Sequence, residues 1–167
     1  STNQPINQST NQPINQSTMP VSWKCKPFDE LKPSELYDIL RLRNEVFVVE
    51  QNCVYQDVDN KDLYALHLMG WSGEQLVAYT RLLPKDNSHP YVSIGRVVTS
   101  PNVRGTGLGK ELMRKSVDTI YNIWGRQPVR VSAQLYLRTF YESLGFQQTS
   151  DIYLEDGIEH IEMILKE

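Results

Sequence analysis

The strongest chemical signature in this chain runs from Arg104 to Lys110, Arg-Gly-Thr-Gly-Leu-Gly-Lys, directly ahead of an amphipathic stretch. Glycines at 105, 107 and 109 let successive backbone N–H groups converge, and they place no Cβ in the path of an oxyanion. A helix that starts here presents unpaired donors and about half a positive charge at its N-terminus. Arg104 and Lys110 add two cations. Residues Arg104, Gly105, Thr106, Gly107, Leu108, Gly109 and Lys110 are therefore the candidate cradle for a phosphate-bearing ligand.

Spacing decides between ligand classes. A dinucleotide-binding GxGxxG read from Gly105 and Gly107 needs glycine where Lys110 stands, and no early βαβ unit precedes the loop. A Walker A loop needs glycine where Arg104 stands and Ser or Thr where Glu111 stands. Arg104, Gly107 and Gly109 instead match R/Q-x-x-G-x-G/A, and in this the chain resembles the GNAT acetyltransferases, which grip the CoA pyrophosphate with that motif. The likeness continues through Phe140-Tyr141 and Gly145-Phe146, with Gln134 in a place usually held by Asn and Leu137 in one usually held by Ala. From Trp23 onward the chain is similar to the ElaA-like branch of that superfamily. The blocks that carry this are LRxxVFVVEQxCxYQ from Leu42 to Gln56, IGRVVTS from Ile94 to Ser100, SAQ from Ser132 to Gln134, and YLEDGIxHIxM from Tyr153 to Met163.

The resemblance implies an α/β protein of the GNAT (acyl-CoA N-acyltransferase) fold, a mixed, mostly antiparallel sheet flanked by helices. It implies acetyl-CoA as co-substrate, no metal, and direct attack by a primary amine in a ternary complex. Val97 and Val98 would bond the pantetheine arm through their backbone, joined by Gln134, and the Val98 N–H would face the developing oxyanion. One such donor is worth about 3 kcal/mol in a transition state. Tyr141 matches the tyrosine that meets the CoA sulfur and protonates it as it leaves. Read from spacing alone, a tyrosine beside Phe140 on an apolar helix face serves a core equally well.

For the base that takes the amine proton, Glu50 is the first choice. It and Arg43, two helical turns earlier on the same face, fall in the block expected on the acceptor side, although helix charges that simply pair fit the same spacing. Asp156 and His160 are further acceptor-side candidates. The acidic residues Glu50, Asp57, Asp59, Asp62 and Glu155 suggest a cationic acceptor, a small-molecule or peptide amine, unless they are solvated surface. A non-catalytic acyl-CoA sensor or partner module is the alternative to an enzyme. Oligomeric state is open, a homodimer included.

The elements that must position these groups follow from periodicity. Val21 to Lys26 is a short strand, and Pro33 opens a helix in which Leu36, Ile39, Leu40, Arg43, Val46 and Phe47 recur at helical spacing, with a break near Val48 and Val49. Strands are expected from Tyr64 to Trp71, Gln75 to Leu83 and Tyr91 to Thr99, the first two joined at Ser72-Gly73-Glu74. A helix from Gly107 to Trp124 buries Leu108, Leu112, Met113, Val117, Ile120 and Trp124 on one face. Val129 to Ala133 is a strand, Leu137 to Leu144 a helix ended by Gly145, and strands from about Phe146 to Tyr153 and from Ile158 to Leu165 close the chain. The order is β-α-β-β-β-α-β-α-β-β.

Composition bounds the rest. The chain has 167 residues, 40% of them apolar, enough for one domain with a real core. Residues 1–18 hold the octapeptide STNQPINQ twice, then Ser17 and Thr18, and nothing in that tail offsets the entropy of ordering it, so disorder is expected there and a folded domain over 19–167. The net charge of -3 argues against nucleic acid and anionic membranes as partners. No apolar run reaches the roughly 20 residues of a bilayer span, and no secretory leader is evident, so a cytoplasmic protein is expected. Cys25 and Cys53 lack any zinc or redox spacing and are expected to be free thiols. His67 reads as a structural histidine and His89 as exposed loop.

Overall fold

The computed structural model describes residues 20–166, so the expectation for residues 1–18 lies outside it. In chain order come β1 (Ser22–Pro27), α1 (Pro33–Arg43), β2 (Leu66–Ser72), β3 (Gln75–Leu83), β4 (Val92–Thr99), α2 (Leu108–Trp124), β5 (Val129–Gln134), α3 (Arg138–Glu142), β6 (Gln147–Gln148), β7 (Tyr153–Glu155) and β8 (Ile158–Leu165). The sheet order is β1-β2-β3-β4-β5-β8-β6, with β7 also on β8. Among the described residues β4 and β5 pair in parallel and every other neighbouring pair is antiparallel.

Strand alternation sends successive side chains to opposite faces. On one face α2 packs Leu108 and Leu112 on Leu68, Val77 and Ala78, and Met113 and Ile120 on Val129, Val131, Ile161 and Met163. On the other, Ile39, Leu42 and Val46 cover Met69, Tyr79 and Val98. That second face is helix-covered only over the N-terminal strands. Beyond β4 it carries Arg130, Ser132 and Gln134 of β5, with His160 and Glu162 opposite them on β8.

Two expectations change in detail. The first helix does not break near Val48 and Val49; its winding widens to a π-helix over Asn44–Glu50, which carries Glu50 to the end of a continuous rod. The strand expected from Phe146 to Tyr153 is split, because residues 149–152 leave the ladder, so β6 and β7 are two short pieces against one edge of β8. Cys25 and Cys53 are free, and burial pushes the Cys25 thiol up to about 11.

The loop expected to be simply polar, Asp57 to Asp62, is the hub of a charge cluster. Arg43, the last residue of α1, donates to Asp57 Oδ2 at 2.9 Å and Asp62 Oδ1 at 2.7 Å. Arg81 of β3 reaches Asp59 at 2.8 Å and Asp62 at 3.1 Å. Arg96 of β4 reaches Asp57 Oδ1 at 2.8 Å, and Tyr55 donates to the same oxygen at 2.7 Å. Three arginines meet three aspartates. These carboxylates are therefore neither solvated nor free for a cationic acceptor. His67 sits beside them, its Nε2–H on the Asp62 carbonyl at 2.9 Å and its Nδ1 accepting from the Tyr79 hydroxyl at 2.7 Å, a satisfied structural histidine.

Burial alone would raise the Asp62 carboxyl, but the Arg43 hydrogen bond and the charges of Arg43 and Arg81 outweigh it and hold Asp62 below the usual carboxylate range. A carboxyl held lower in the fold than in the unfolded chain favours folding above its unfolded value, near pH ~4, and loses that contribution as pH falls below it. Asp62→Ala leaves Arg43, which has no exposed surface, short of a partner. It should cost about 3 to 5 kcal/mol in urea unfolding at neutral pH. The gap between variant and wild type should narrow as pH falls below about 4.

Candidate active site

β4 and β5 share three residue pairs, Val92↔Val129, Ser93↔Arg130 and Ile94↔Val131, and then part. The cause lies on the other edge of β4. Tyr79 pairs with Val98 and Arg81 with Gly95, so Arg96 and Val97 stand together opposite Thr80 in a bulge. Arg96 is left-handed there, with φ 51°, a conformation that costs a non-glycine residue about 1 kcal/mol or more. Its guanidinium is held by Asp57 and Asp59. From Gly95 to Thr99 the β5-side edge of β4 is left without a ladder, and a wedge opens between the strands.

Alternation assigns the donors in that wedge. The Ser100 N–H bonds the Val77 carbonyl on β3 at 2.8 Å. Two residues back, Val98 turns its N–H to the same side, toward Tyr79, so Val98 is not the donor that the sequence suggests. Val97 and Thr99 are the residues whose N–H groups face the wedge. The Val98 side chain is buried against α1.

The glycine loop lies at the mouth of the wedge. Gly105 and Gly107 are left-handed, φ 82° and 85°, and a Cβ on either would meet open space. The first intrahelical bond of α2 runs from Glu111 N–H to the Gly107 carbonyl, which leaves the N–H groups of Leu108, Gly109 and Lys110 without a partner among the described residues at the helix entry. Leu108 buries its side chain in the core, and Thr106 ties the loop down by donating to the Val103 carbonyl at 2.6 Å. Free donors, a dipole end, an exposed Lys110 and unobstructed space fit a pyrophosphate.

A cavity of about 710 Å³ runs along the wedge and reaches the glycine loop at Arg104. Its walls include Val97, Val98 and Thr99 of β4, Arg104, Ser132 and Gln134 of β5, and Tyr141 of α3. Tyr141 is packed edge-on to Phe140 and Phe146 at 5.1 and 5.8 Å. Its hydroxyl has no hydrogen-bond partner among the described residues and is not sealed in the core. Burial, with a smaller effect of Tyr136, pushes that phenol up to about 12, so it stays protonated at neutral pH. Gln134 reaches Gln51 across the cavity at 3.4 Å.

Glu50 lines the same cavity but is engaged. Its carboxylate receives two hydrogen bonds from Arg104, at 2.5 and 2.6 Å, and that contact holds it below the usual carboxylate range. The base and the pyrophosphate clamp expected from the sequence are thus paired with each other. Arg43 is not on the acceptor side at all. It is fully buried and committed to Asp57 and Asp62, so two turns along the rod do not bring it to the face of Glu50.

Tyr55, Ser132, Glu155, Asp156 and His160 also line the cavity. Asp156 holds the β7–β8 turn at φ 53°, its carbonyl accepting from Cys53 Sγ at 3.6 Å. Ser132 bonds the Tyr153 hydroxyl at 2.5 Å and donates to Glu155 at 3.3 Å. Thr99, Tyr55 and Ser132 are absent from the residues singled out in the sequence, where Glu155 stands only among the acidic residues that suggest a cationic acceptor. Alternation back from Gln134 points to Ser132, and the YLEDG block contains Glu155.

A sheet split at its parallel pair, with a glycine-rich helix entry at the mouth of the split, defines an acyltransferase of the acyl-CoA N-acyltransferase fold. A family model for the acetyltransferase (GNAT) domain matches residues 31–167. The chain is 45% identical over 145 residues to protein ElaA of Escherichia coli strain K12, covering 86% of this chain and 95% of that one. It is 46% identical over 143 residues to a UPF0039 protein of Schizosaccharomyces pombe, covering 84% and 94%. Among solved structures, an acyl-CoA N-acyltransferase from Pseudomonas aeruginosa superposes with a TM-score of 0.82 at 45% identity, covering 87% of this chain and 99% of that one. Escherichia coli ElaA superposes with the same TM-score at 43% identity, covering 88% and 100%. The chain belongs to the GNAT acetyltransferase superfamily, in its ElaA-like branch.

Because the Tyr141 hydroxyl makes no hydrogen bond, Tyr141→Phe removes none and keeps both ring contacts. Its unfolding free energy should stay within about 0.5 kcal/mol of wild type in urea titrations. A loss near 1 kcal/mol or more would assign the hydroxyl to the core.

Proposed function

We propose that this chain is a cytoplasmic, acetyl-CoA-dependent N-acetyltransferase acting on a primary amine of a small molecule or peptide by direct attack in a ternary complex. The observation that carries this reading is the single cavity joining the open edge of β4, the Arg104 guanidinium and the unpartnered Tyr141 hydroxyl. Acetyl-CoA supplies a thioester carbon that gains a C–N bond as its C–S bond breaks. Every other task falls to the chain. The N–H groups of Leu108, Gly109 and Lys110 take the pyrophosphate charge, with Arg104 and Lys110 beside them and Gly105 and Gly107 leaving room. Val97 and Thr99 offer backbone donors along the wedge, one of them to the carbonyl oxygen, worth about 3 kcal/mol as negative charge develops. Gln134 lines the wedge from β5, and Tyr141 gives its proton to the departing sulfur.

A sensor would have no use for a buried ring that presents a bare hydroxyl to the cavity, and this supports turnover. Acetyl transfer to a panel of primary amines, read as free thiol release, tests the reading. Tyr141→Phe should lower kcat about ten- to a thousandfold with little change in acetyl-CoA affinity. No release with any amine, despite acetyl-CoA binding, would leave a sensor.

Binding has its own test. Acetyl-CoA should raise the melting temperature with the logarithm of its concentration, and Gly107→Asp should abolish that rise. The left-handed site costs this variant about 1 kcal/mol, or about 2 to 4 °C in its unliganded melting temperature. Glu50→Gln frees the Arg104 guanidinium and should tighten acetyl-CoA about two- to fivefold by calorimetry, the worth of an exposed ion pair. Weaker binding would show that Arg104 does not meet the pyrophosphate.

A further inference from the structure

The acetyl-transfer reading leaves the amine proton without a destination, because a lysine-type amine arrives as ammonium at neutral pH and cannot attack until it is neutral. Glu50 is poorly suited, held as it is in two hydrogen bonds by Arg104. A second group in the cavity is free and oriented. His160 of β8 is 6% exposed, and its Nδ1 lies 2.7 Å from the Ile158 carbonyl, which only accepts, so the ring proton sits on Nδ1. Nε2 then carries the lone pair. It has no hydrogen-bond partner among the described residues and stands on the cavity wall 3.6 Å from Glu155 Oε2.

The surroundings suit a base. The Tyr153 ring stacks on the imidazole at 6.1 Å and fixes its plane, and Tyr153 is itself tied to Ser132. Glu155 carries no arginine or lysine partner among the described residues, and Ser132 donates to it. The register sets His160 opposite Gln134, three residues past the last β4–β5 pair at Val131, beside the open part of the wedge. The charged group set against the ring is Glu155.

Resting on the acetyl-transfer reading, we propose that His160 is the general base and that Glu155 receives the cationic acceptor. Glu155 draws the ammonium in. His160 Nε2 takes one proton from it, becomes an imidazolium facing Glu155, and later passes that proton to water. The neutral amine forms the C–N bond as C–S breaks, and its surplus N–H proton makes up for the one that Tyr141 gives to sulfur.

The test uses the basicity of the acceptor. At about pH 9 phenethylamine and Nα-acetyl-lysine methylamide are still mostly ammonium ions, whereas hydrazine, a much weaker base, is mostly unprotonated. His160→Gln and His160→Asn both lack the basic nitrogen, and Asn retains a donor suited to the Ile158 carbonyl. Both should lower kcat/KM for the two ammonium acceptors about a hundred- to ten-thousandfold, while hydrazine loses less than about threefold. The melting-temperature rise with acetyl-CoA should persist, which verifies the fold and the cofactor end. A variant in which the Asn substitution alone folds suffices for the comparison. Equal losses with hydrazine and the ammonium acceptors, or no loss with any, would overturn the base assignment and leave the acetyl-transfer reading intact. A wild-type chain that binds acetyl-CoA and acetylates none of the three would overturn that reading and the inference with it.

Discussion

The site depends on one backbone conformation, the left-handed turn at Arg96. A parallel strand pair with regular geometry would have continued past Ile94 and Val131 and closed the wedge. The bulge prevents that by rotating β4 away while Val98 keeps its pairing with Tyr79. A non-glycine residue in this conformation persists only where its surroundings over-determine it. Here they do so electrostatically. Arg96 shares Asp57 with Arg43 and Asp59 with Arg81, so moving Arg96 would disturb ion pairs that also anchor α1 and β3. Burying Arg43 and Arg81 and partly burying Arg96 is tolerable because three aspartates meet them, and the Tyr55 hydroxyl donates to one of these, Asp57.

The same economy of charge operates at the mouth with the opposite consequence. Arg104 and Glu50 are both about half exposed, so their attraction is screened and worth little. A weak pair keeps the guanidinium oriented without sequestering it, whereas a buried pair of the Arg43 kind would not release its cation. The contact also joins the end of the π-helix to the glycine loop, 54 residues apart. Exchange of a carboxylate for a pyrophosphate at Arg104 would therefore alter both walls of the cavity at once.

What was legible in the sequence was local. The glycine loop, the span of α2, the hairpin connection read at Ser72-Gly73-Glu74 and the last strand are written in neighbouring residues, and their bounds agree with the structure to within a residue or two. Arg43 was misplaced because its partners lie 14 and 19 residues ahead in a loop that reads as solvated polar chain. The sequence reading names Val98 and misses Thr99 because which way an N–H points is a property of register, and register is set by Val77 and Tyr79 on another strand. The π-helix has no sequence rule that a periodicity of 3.6 can detect. Family resemblance compensated in part, since the blocks it rested on contain His160, Glu155, Ser132 and Glu50, but it did not say which of them was already occupied.

The half-covered sheet connects these observations. On the α2 face, Val129, Val131, Ala133, Ile161 and Met163 are selected by packing, and changing any of them disturbs the core. Their neighbours Arg130, Ser132, Gln134, His160 and Glu162 occupy the alternate positions, where the contacts are polar: Arg130 with Glu162, Ser132 with Tyr153 and Glu155, and Gln134 with Gln51. The polar face ends at the wedge on one side and at the β7–β8 turn on the other. The side chains at Ser132, Glu155, Asp156 and His160 can thus vary while the bulge, the glycine loop and the core stay as they are.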